Sequence, residues 1–303
     1  MIGQTIIETF QRFVPQENII HNANLTSYTT FRIGGAADCL IEVDDKVDLP
    51  KLTYYLRQID IPFYIVGRGS NLLVSDEGYR GVILHMGKGW SHITVMGDFL
   101  VAQAGATLHE TALCAAQHSL SGLEFAAGIP GSVGGGVVMN AGAYGAELSQ
   151  VVKSVKVLDK EGNELIFDKD TMEFGYRDSV VKHYPFLVTE VTMHLHKKER
   201  EAILADIEEL STKRKEKQPL EFPSAGSTFK RPQGYYAGEL IMKAGLAGYT
   251  VGKAKVSEKH CGFVINTGGA TAKDVKTLIV DVQQKVYDSF GVRLDPEVIF
   301  LGK

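Results

Sequence analysis

Apolar positions fall at helical spacing twice within the first 59 residues. Ile6, Ile7, Phe10 and Phe13 share one face of a predicted helix, and Leu49, Leu52, Leu56 and Ile59 share one face of another. Cys39 to Val43, between them, reads as a strand. From Pro62 to Ala104 short apolar runs alternate with glycine-bearing turns, which predicts strands at 63–66, 72–74, 81–85, 92–96 and 99–104. That is a mixed sheet, not a regular series of strand, helix and parallel strand. Thr107 and Glu110 have capping-box spacing and start a helix with Leu108, Ala112, Ala115 and Ala116 on one face, with Gly122 as its left-handed stop. Residues 153–168 read as a hairpin around Glu161-Gly162-Asn163, and 186–195 as a strand in which Val191, Met193 and Leu195 alternate. Ile203, Leu204, Ile207 and Leu210 place an exposed amphipathic helix over the charged segment 197–217, leading into a second lobe with the boundary near residue 200. A further helix over 271–290 starts at Thr271 with Asp274 in its first turn, buries Val275, Leu278, Ile279, Val282 and Val286, and stops at Gly291. Residues 297–301 are strand-like.

Composition narrows the class. A chain of 303 residues is long enough for about two domains, and 44% hydrophobic against 22% charged residues is a globular balance. The 32 glycines follow no triplet repeat. The longest apolar runs, such as Phe63 to Gly67 and Val298 to Leu301, fall far short of the roughly 18 residues of a membrane helix. Glu8, Gln11 and Arg12 are out of place in a signal peptide. Cys39, Cys114 and Cys261 are odd in number and lie in apolar segments, so buried free thiols in a reducing cytoplasm are expected. With no CxxC pair and no HExxH, a metal enzyme is not expected.

The net charge of −4 is unevenly spread, for residues 213–260 carry ten Lys or Arg against four Glu and no Asp. A local basic field in an acidic protein suits a small, multiply charged anion better than a nucleic acid, although a solvated basic face would look the same. Two glycine tracts could hold such an anion. Gly67-Arg68-Gly69-Ser70-Asn71 follows an apolar strand and can gather N–H groups into a nest for phosphate oxygens, or serve only as a turn. Gly128 to Gly136 has five glycines in nine residues, a composition that loses backbone entropy unless something presses against that backbone. Asn140-Ala141-Gly142-Ala143 extends the small-residue surface. Neither tract follows GxGxxG or GxxxxGK[ST], so two separated nests suit a long ligand with a central pyrophosphate better than an ordinary Rossmann or P-loop site.

An ordered set of segments resembles the UDP-N-acetylenolpyruvoylglucosamine reductase (MurB) family: Thr30 to Gly35, Gly67 to Leu72, Gly128 to Gly135, Asn140 to Gly142, Tyr176-Arg177, Ala225 to Lys230, His260 to Asn266 and Pro296-Glu297. With only about 50 residues between Arg177 and Ser227, the chain is similar to the shorter, type II branch. The resemblance implies an α+β protein: a vanillyl-alcohol-oxidase-type (PCMH) FAD-binding unit of two lobes, 1–66 and 67–200, then a substrate-binding domain, 201–290, and a final strand, 291–303, returning to the first lobe. It implies noncovalent FAD and NADPH as hydride donor, with the enolpyruvyl ether of a UDP-sugar reduced to a lactyl ether for peptidoglycan. No nucleic acid, membrane insertion or obligatory protein partner is implied.

Carried over residue by residue, Gly67, Arg68, Gly69, Ser70, Asn71, Leu72, Gly128, Ile129, Pro130, Gly131, Ser132, Gly134, Gly135, Asn140, Ala141 and Gly142 would contact the flavin cofactor. Arg177 would neutralise the charge that develops on the substrate carboxylate, Ser227 would protonate the carbanion, and Glu297 would act on the enolate beside Arg177. Tyr176, Lys217, Lys230, Arg231 and His260 would face the substrate, with the three cations directed to its diphosphate. Each of these has a plain structural reading: a surface arginine paired with Asp178, a turn serine, a strand-start carboxylate, a strand-edge histidine. A flavin oxidase of the same superfold, or a binding module without catalysis, would share the glycine tracts.

Overall fold

The computed structural model describes residues 2–302. By internal packing the chain divides into two compact units, each assembled from separated stretches: the first up to His21, Asp38–Arg68 and Gly81–Lys213, the second Asn22–Ala37, Gly69–Arg80 and Arg214–Lys303.

In the first unit the apolar stripes become helix faces. Leu49, Leu52 and Leu56 are buried along the helix Leu49–Gln58, which starts where the Asp48 carboxylate accepts the Lys51 N–H; Ile59 lies past its end and is half-buried. The helix Gln4–Phe10 is short, so Phe13 also packs from beyond a helix end. Phe63–Val66 runs parallel to Tyr79–His85, with Phe63 opposite Val82, in a four-stranded sheet completed by Ala36–Glu42 and Ile19–Asn24. The last of these has no alternating pattern and was not foreseen.

A second sheet is wholly antiparallel and runs in the order Glu164–Asp168, Val152–Leu158, Leu187–His194, Phe99–Gln103, Ile93–Met96. Val155 stands opposite Val191, and Met193 opposite Leu100, so the buried residues of neighbouring strands share one face. The helix Leu108–Gln117 carries the expected capping box. Its left-handed turn, however, is made by Ser119 at φ 57°, not by Gly122, because the helix ends at Gln117, three residues before a stop at Gly122 would place its end. The apolar faces of the two sheets and their helices join in one continuous core.

The second unit has its own core. An antiparallel sheet runs Ser224–Ser227, Phe263–Asn266, Ala254–Val256, Thr250–Val251, with the helices Ala237–Lys243 and Ala272–Phe290 contributing Leu240, Ile241, Val275, Leu278, Ile279, Val282 and Val286. The longer helix opens with a reciprocal Thr271–Asp274 capping box and ends at Gly291, φ 67°. The final strand, Ile299–Leu301, lies parallel to Leu72–Val74, and Phe31, Ile33 and Leu73 from the early chain belong to this second core.

The compact units are not divided at residues 200 and 291. Ile203 and Ile207 of the helix Arg200–Lys217 are buried in the first core, which carries the first unit on to Lys213. The terminal strand pairs with a segment that packs inside the second unit. All three cysteines are free; Cys39 and Cys261 are buried and Cys114 is only half-buried. Burial, with a smaller contribution from Asp38, pushes the Cys39 thiol up to about 12, so it is inert as a nucleophile. Among the described residues no helix is long and apolar enough to cross a membrane.

Replacing Thr271 by alanine removes one half of the capping box. The expected cost is about 1 kcal/mol, read as a lower denaturation midpoint, with Thr271→Ser close to the parent.

Candidate active site

The glycine tract of the first unit is held by its own chain before any ligand is considered. Its second half folds into the short helix Val133–Val138, and the Ser132 hydroxyl accepts the Gly135 N–H at 3.3 Å. Val133 and Gly134 donate to the carbonyls of Ala106 and Ala104 at 2.7 and 2.9 Å, and Leu108 donates to Gly131 at 3.0 Å. This is main chain laid on main chain. A Cβ on Gly134 would stand 2.7 Å from Ala104 Cβ, and one on Gly67, at the end of the strand Phe63–Val66, would overlap the Ser132 hydroxyl. Part of what presses against the glycines is thus the protein itself, and Gly67 and Ser132 of the two tracts are neighbours.

Gly135 is different. It is exposed, it has no left-handed φ, and an added Cβ would meet nothing nearer than Ser132 Oγ at 3.4 Å. No packing demand requires glycine there, whereas close approach by a flat ligand would. Gly128 and Ile129 are half-buried, Pro130 is exposed, and Gly131 is buried. Arg68 is exposed close enough to Glu110 to help hold that carboxyl low, the Thr107 hydroxyl having the larger influence. Beyond the helix, Asn140 is wholly buried at φ 40°; its Nδ2 donates to the Gly175 carbonyl at 3.0 Å and its Oδ1 accepts the Ser149 N–H at 3.0 Å. Its side chain is committed to fixing other loops. Ala141 and Gly142 remain half-buried, and the Gly142 carbonyl accepts the Arg177 guanidinium at 3.0 Å.

Arg177 sits in a tight turn in which Gly175 and Asp178 exchange N–H···O=C bonds of 3.0 and 3.3 Å. Its φ is 55°, its guanidinium lies 5.2 Å from the centroid of the exposed Tyr176 ring, and its carbonyl accepts Lys182 Nζ at 2.8 Å. Asp178 is taken by His183, at 2.8 Å, and by Lys182, at 3.5 Å. Burial opposes ionisation of Asp178, but these two partners hold its carboxyl below the usual range.

In the second unit Ser227 and Glu297 are brought together. A register shift between Ser224 and Ser227 marks a bulge in which Gly226 takes φ 75°, and this turns Ser227 to face Phe263. Thr228, almost fully buried, donates its N–H to Gly262, accepts the Val264 N–H on its hydroxyl and accepts the Glu297 N–H on its carbonyl at 2.8 Å. Phe229 bridges Pro296, and Lys230 donates its N–H to Asp295. Asn71 closes the cluster: its Nδ2 donates to the Glu297 carbonyl at 3.1 Å and its own carbonyl accepts the Ile299 N–H.

His260 completes this group. A Cβ on Gly262 would lie 3.0 Å from the His260 ring and 3.6 Å from Ser227 Oγ, so ring and hydroxyl flank the same glycine. Burial holds the imidazole below its ordinary value of 6.5, and its Nδ1 accepts the Gly262 N–H at 3.2 Å. The ring is therefore neutral at pH 7 with Nε2–H left to donate. The Ser227 hydroxyl rests on the Phe229 carbonyl at 3.1 Å.

Of the remaining nominated residues, Leu72 is buried in the parallel pair with Ile299, Gly69 is buried, and Ser70 is half-buried. Among the described residues no backbone carbonyl takes the N–H groups of Gly69, Ser70 or Asn71, which leaves them as a donor set suited to phosphate oxygens. Arg231 stacks 4.0 Å from the centroid of the exposed Tyr236 ring. Lys217 is exposed in the last turn of its helix. Thr228, Lys182 and Gly262 were not nominated from sequence: Thr228 and Gly262 meet through main chain across 34 positions, and Lys182 reaches the Arg177 carbonyl, five residues back, by its side chain.

The pattern of an FAD binding domain matches residues 37–168, and that of the UDP-N-acetylenolpyruvoylglucosamine reductase C-terminal domain matches residues 218–301. UDP-N-acetylenolpyruvoylglucosamine reductases of Agathobacter rectalis and Caldanaerobacter subterraneus subsp. tengcongensis are 48% and 46% identical, each over 100% of both chains. The crystal structure of the reductase (MurB) from Thermus caldophilus superposes with a TM-score of 0.78 at 33% identity, covering 94% of this chain and 98% of that one. Phl p 4.0202, a glucose dehydrogenase, shares the fold alone: 12% identity and a TM-score of 0.51 over 65% of this chain and 45% of that one. With near-half identity over full length and both characteristic domains in place, the chain belongs to the UDP-N-acetylenolpyruvoylglucosamine reductase family.

Proposed function

We propose that this chain catalyses the NADPH-dependent, FAD-mediated reduction of UDP-N-acetylenolpyruvoylglucosamine to UDP-N-acetylmuramate in peptidoglycan precursor synthesis. The observation that carries the reading is the convergence of Ser227, His260 and the Glu297 main chain around Gly262 and Thr228, within the segment that matches the family's C-terminal domain. When bound and reduced, FAD supplies the hydride that adds to the terminal enolpyruvyl carbon. In the first unit the open face at Gly135 fits such a cofactor, and in the second the N–H donors of Gly69, Ser70 and Asn71 suit phosphate oxygens.

The chain's own residues handle the charge and the proton. Arg177 holds the substrate carboxylate, where a planar, permanently charged guanidinium lowers the cost of the developing enolate. Ser227 turns its hydroxyl from the Phe229 carbonyl and gives its proton to the carbon beside the carboxylate. Glu297, held at N–H and C=O by Thr228 and Asn71 and half-buried, would act on the enolate. Neutral His260 donates from Nε2 to a substrate oxygen, while Lys217, Lys230 and Arg231 neutralise the diphosphate and Tyr176 lines the approach.

Functionally, residues 1–200 serve the cofactor and also supply Tyr176 and Arg177, residues 201–290 serve the substrate, and residues 291–303 carry Glu297.

Ser227→Ala is expected to keep its flavin and its rate of flavin reduction by NADPH while turnover falls by about 10²–10⁴; turnover equal to the parent removes Ser227 from the mechanism. The two glycines of the helix N-terminus give a second measurement. Gly134→Ala is expected to lose about 1–3 kcal/mol of stability by crowding Ala104. Gly135→Ala keeps or gains stability in the apoprotein, since alanine favours the helix by about 0.5–1 kcal/mol, yet binds flavin more weakly because the methyl fills the open face. Undiminished flavin content in Gly135→Ala would place the cofactor elsewhere.

A further inference from the structure

We infer that Lys182 is a positioning residue: it fixes the backbone of Arg177 and thereby the aim of the guanidinium at the substrate carboxylate. This rests on the role proposed above for Arg177. The turn from Gly175 to Asp178 places a non-glycine residue at φ 55°, a conformation that L side chains avoid and that a neighbour must stabilise. Three side chains bond the turn to its surroundings. Asn140 Nδ2 donates to the Gly175 carbonyl at 3.0 Å, Ser179 Oγ donates to the Val138 carbonyl at 2.8 Å, and Lys182 Nζ donates to the Arg177 carbonyl at 2.8 Å.

Of these three, Lys182 alone acts on residue 177 itself. Its ammonium is a charged donor, so the bond is stronger than an amide contact, and the side chain is only 24% exposed, which limits competition from water. Lys182 lies on the one-turn helix Val180–His183, where a lysine ordinarily extends into solvent or toward the last helical carbonyls. Here it folds back five residues, past Ser179, to a carbonyl outside the helix. The Asp178 carboxylate at 3.5 Å neutralises part of its charge and holds the ammonium over the turn. The arrangement orients one end of Arg177 by its main chain while the Gly142 carbonyl orients the other by its guanidinium.

The test uses the oxidised, FAD-bound enzyme without NADPH, titrated calorimetrically with the enolpyruvyl nucleotide and, separately, with UDP-N-acetylglucosamine, which lacks the carboxylate. Lys182→Met is expected to bind the enolpyruvyl nucleotide about 10-fold more weakly while its affinity for UDP-N-acetylglucosamine and its anaerobic rate of flavin reduction stay at the parent's values. Lys182→Arg, which keeps a cation of similar reach, recovers most of the loss. Lys182→Gln, shorter but still a donor, gives an intermediate value and serves if the methionine variant does not fold. Equal weakening toward both nucleotides, or no weakening toward either, overturns the inference. Arg177→Met separates this from the underlying reading: if that variant still prefers the carboxylate-bearing nucleotide, the role of Arg177 fails, whereas an unaffected Lys182→Met beside an impaired Arg177→Met defeats only the role of Lys182.

Discussion

The approach of one stretch of backbone onto another, with no side chain between, is the constraint from which the first unit's chemistry follows. Gly134 lies on Ala104, and the helix it begins is seated by bonds to Ala104 and Ala106. The same helix offers the Val138 carbonyl to Ser179, and the residue that follows its C-cap, Asn140, holds Gly175. Arg177 hangs from those two points.

The second unit solves a different problem. A hydroxyl is a poor acid, so its use as a proton donor depends on placement. In the role proposed for Ser227, the bulge before it supplies that placement with two residues, Ala225 and Gly226, where the opposite strand has one, Val264, and Thr228 secures it by bonding to Gly262, Val264 and Glu297 at once. Buried polar side chains with every partner found make rigid joints. Thr228 is such a joint, and Asn266, bonded to Phe31, Gly268 and Ala270, is another.

Much of the architecture was legible because its signals are local. The Thr107–Glu110 and Thr271–Asp274 boxes, the turn at Gly162 and the alternation through Val191 each depend on residues within a few positions of one another. The strand Ile19–Asn24 was not legible, since only Ala23 of its six residues is buried and no alternation marks it. The helix Val133–Val138 was hidden by three glycines in its first four positions; its seat on Ala104 and Ala106, not propensity, makes it helical. Residues 22–37 and 69–80 gave no hint of belonging with the last ninety residues, because that allegiance is decided by packing of Phe31, Ile33 and Leu73. Among the nominated residues, the ordered motifs pointed to Arg177, Ser227 and Glu297; the partners that hold Glu297, Thr228 and Asn71, are distant in sequence, whereas Lys182 lies only five residues from Arg177.

The parallel pairing of Ile299–Leu301 with Leu72–Val74 has a consequence for how the molecule is made. A ribosome releases the chain from its N-terminus, so residues 22–37 and 69–80 emerge long before the partners that bury Phe31, Ile33 and Leu73. During elongation those apolar side chains remain uncovered while the first unit, whose last stretch ends at Lys213, can already collapse around its own core. Pairing across so wide a sequence separation is slow to nucleate. Maturation of this polypeptide thus has a built-in order, and a nascent form halted before the last few residues would carry an unpaired strand edge at Leu72–Val74, a place where two unfinished copies could adhere.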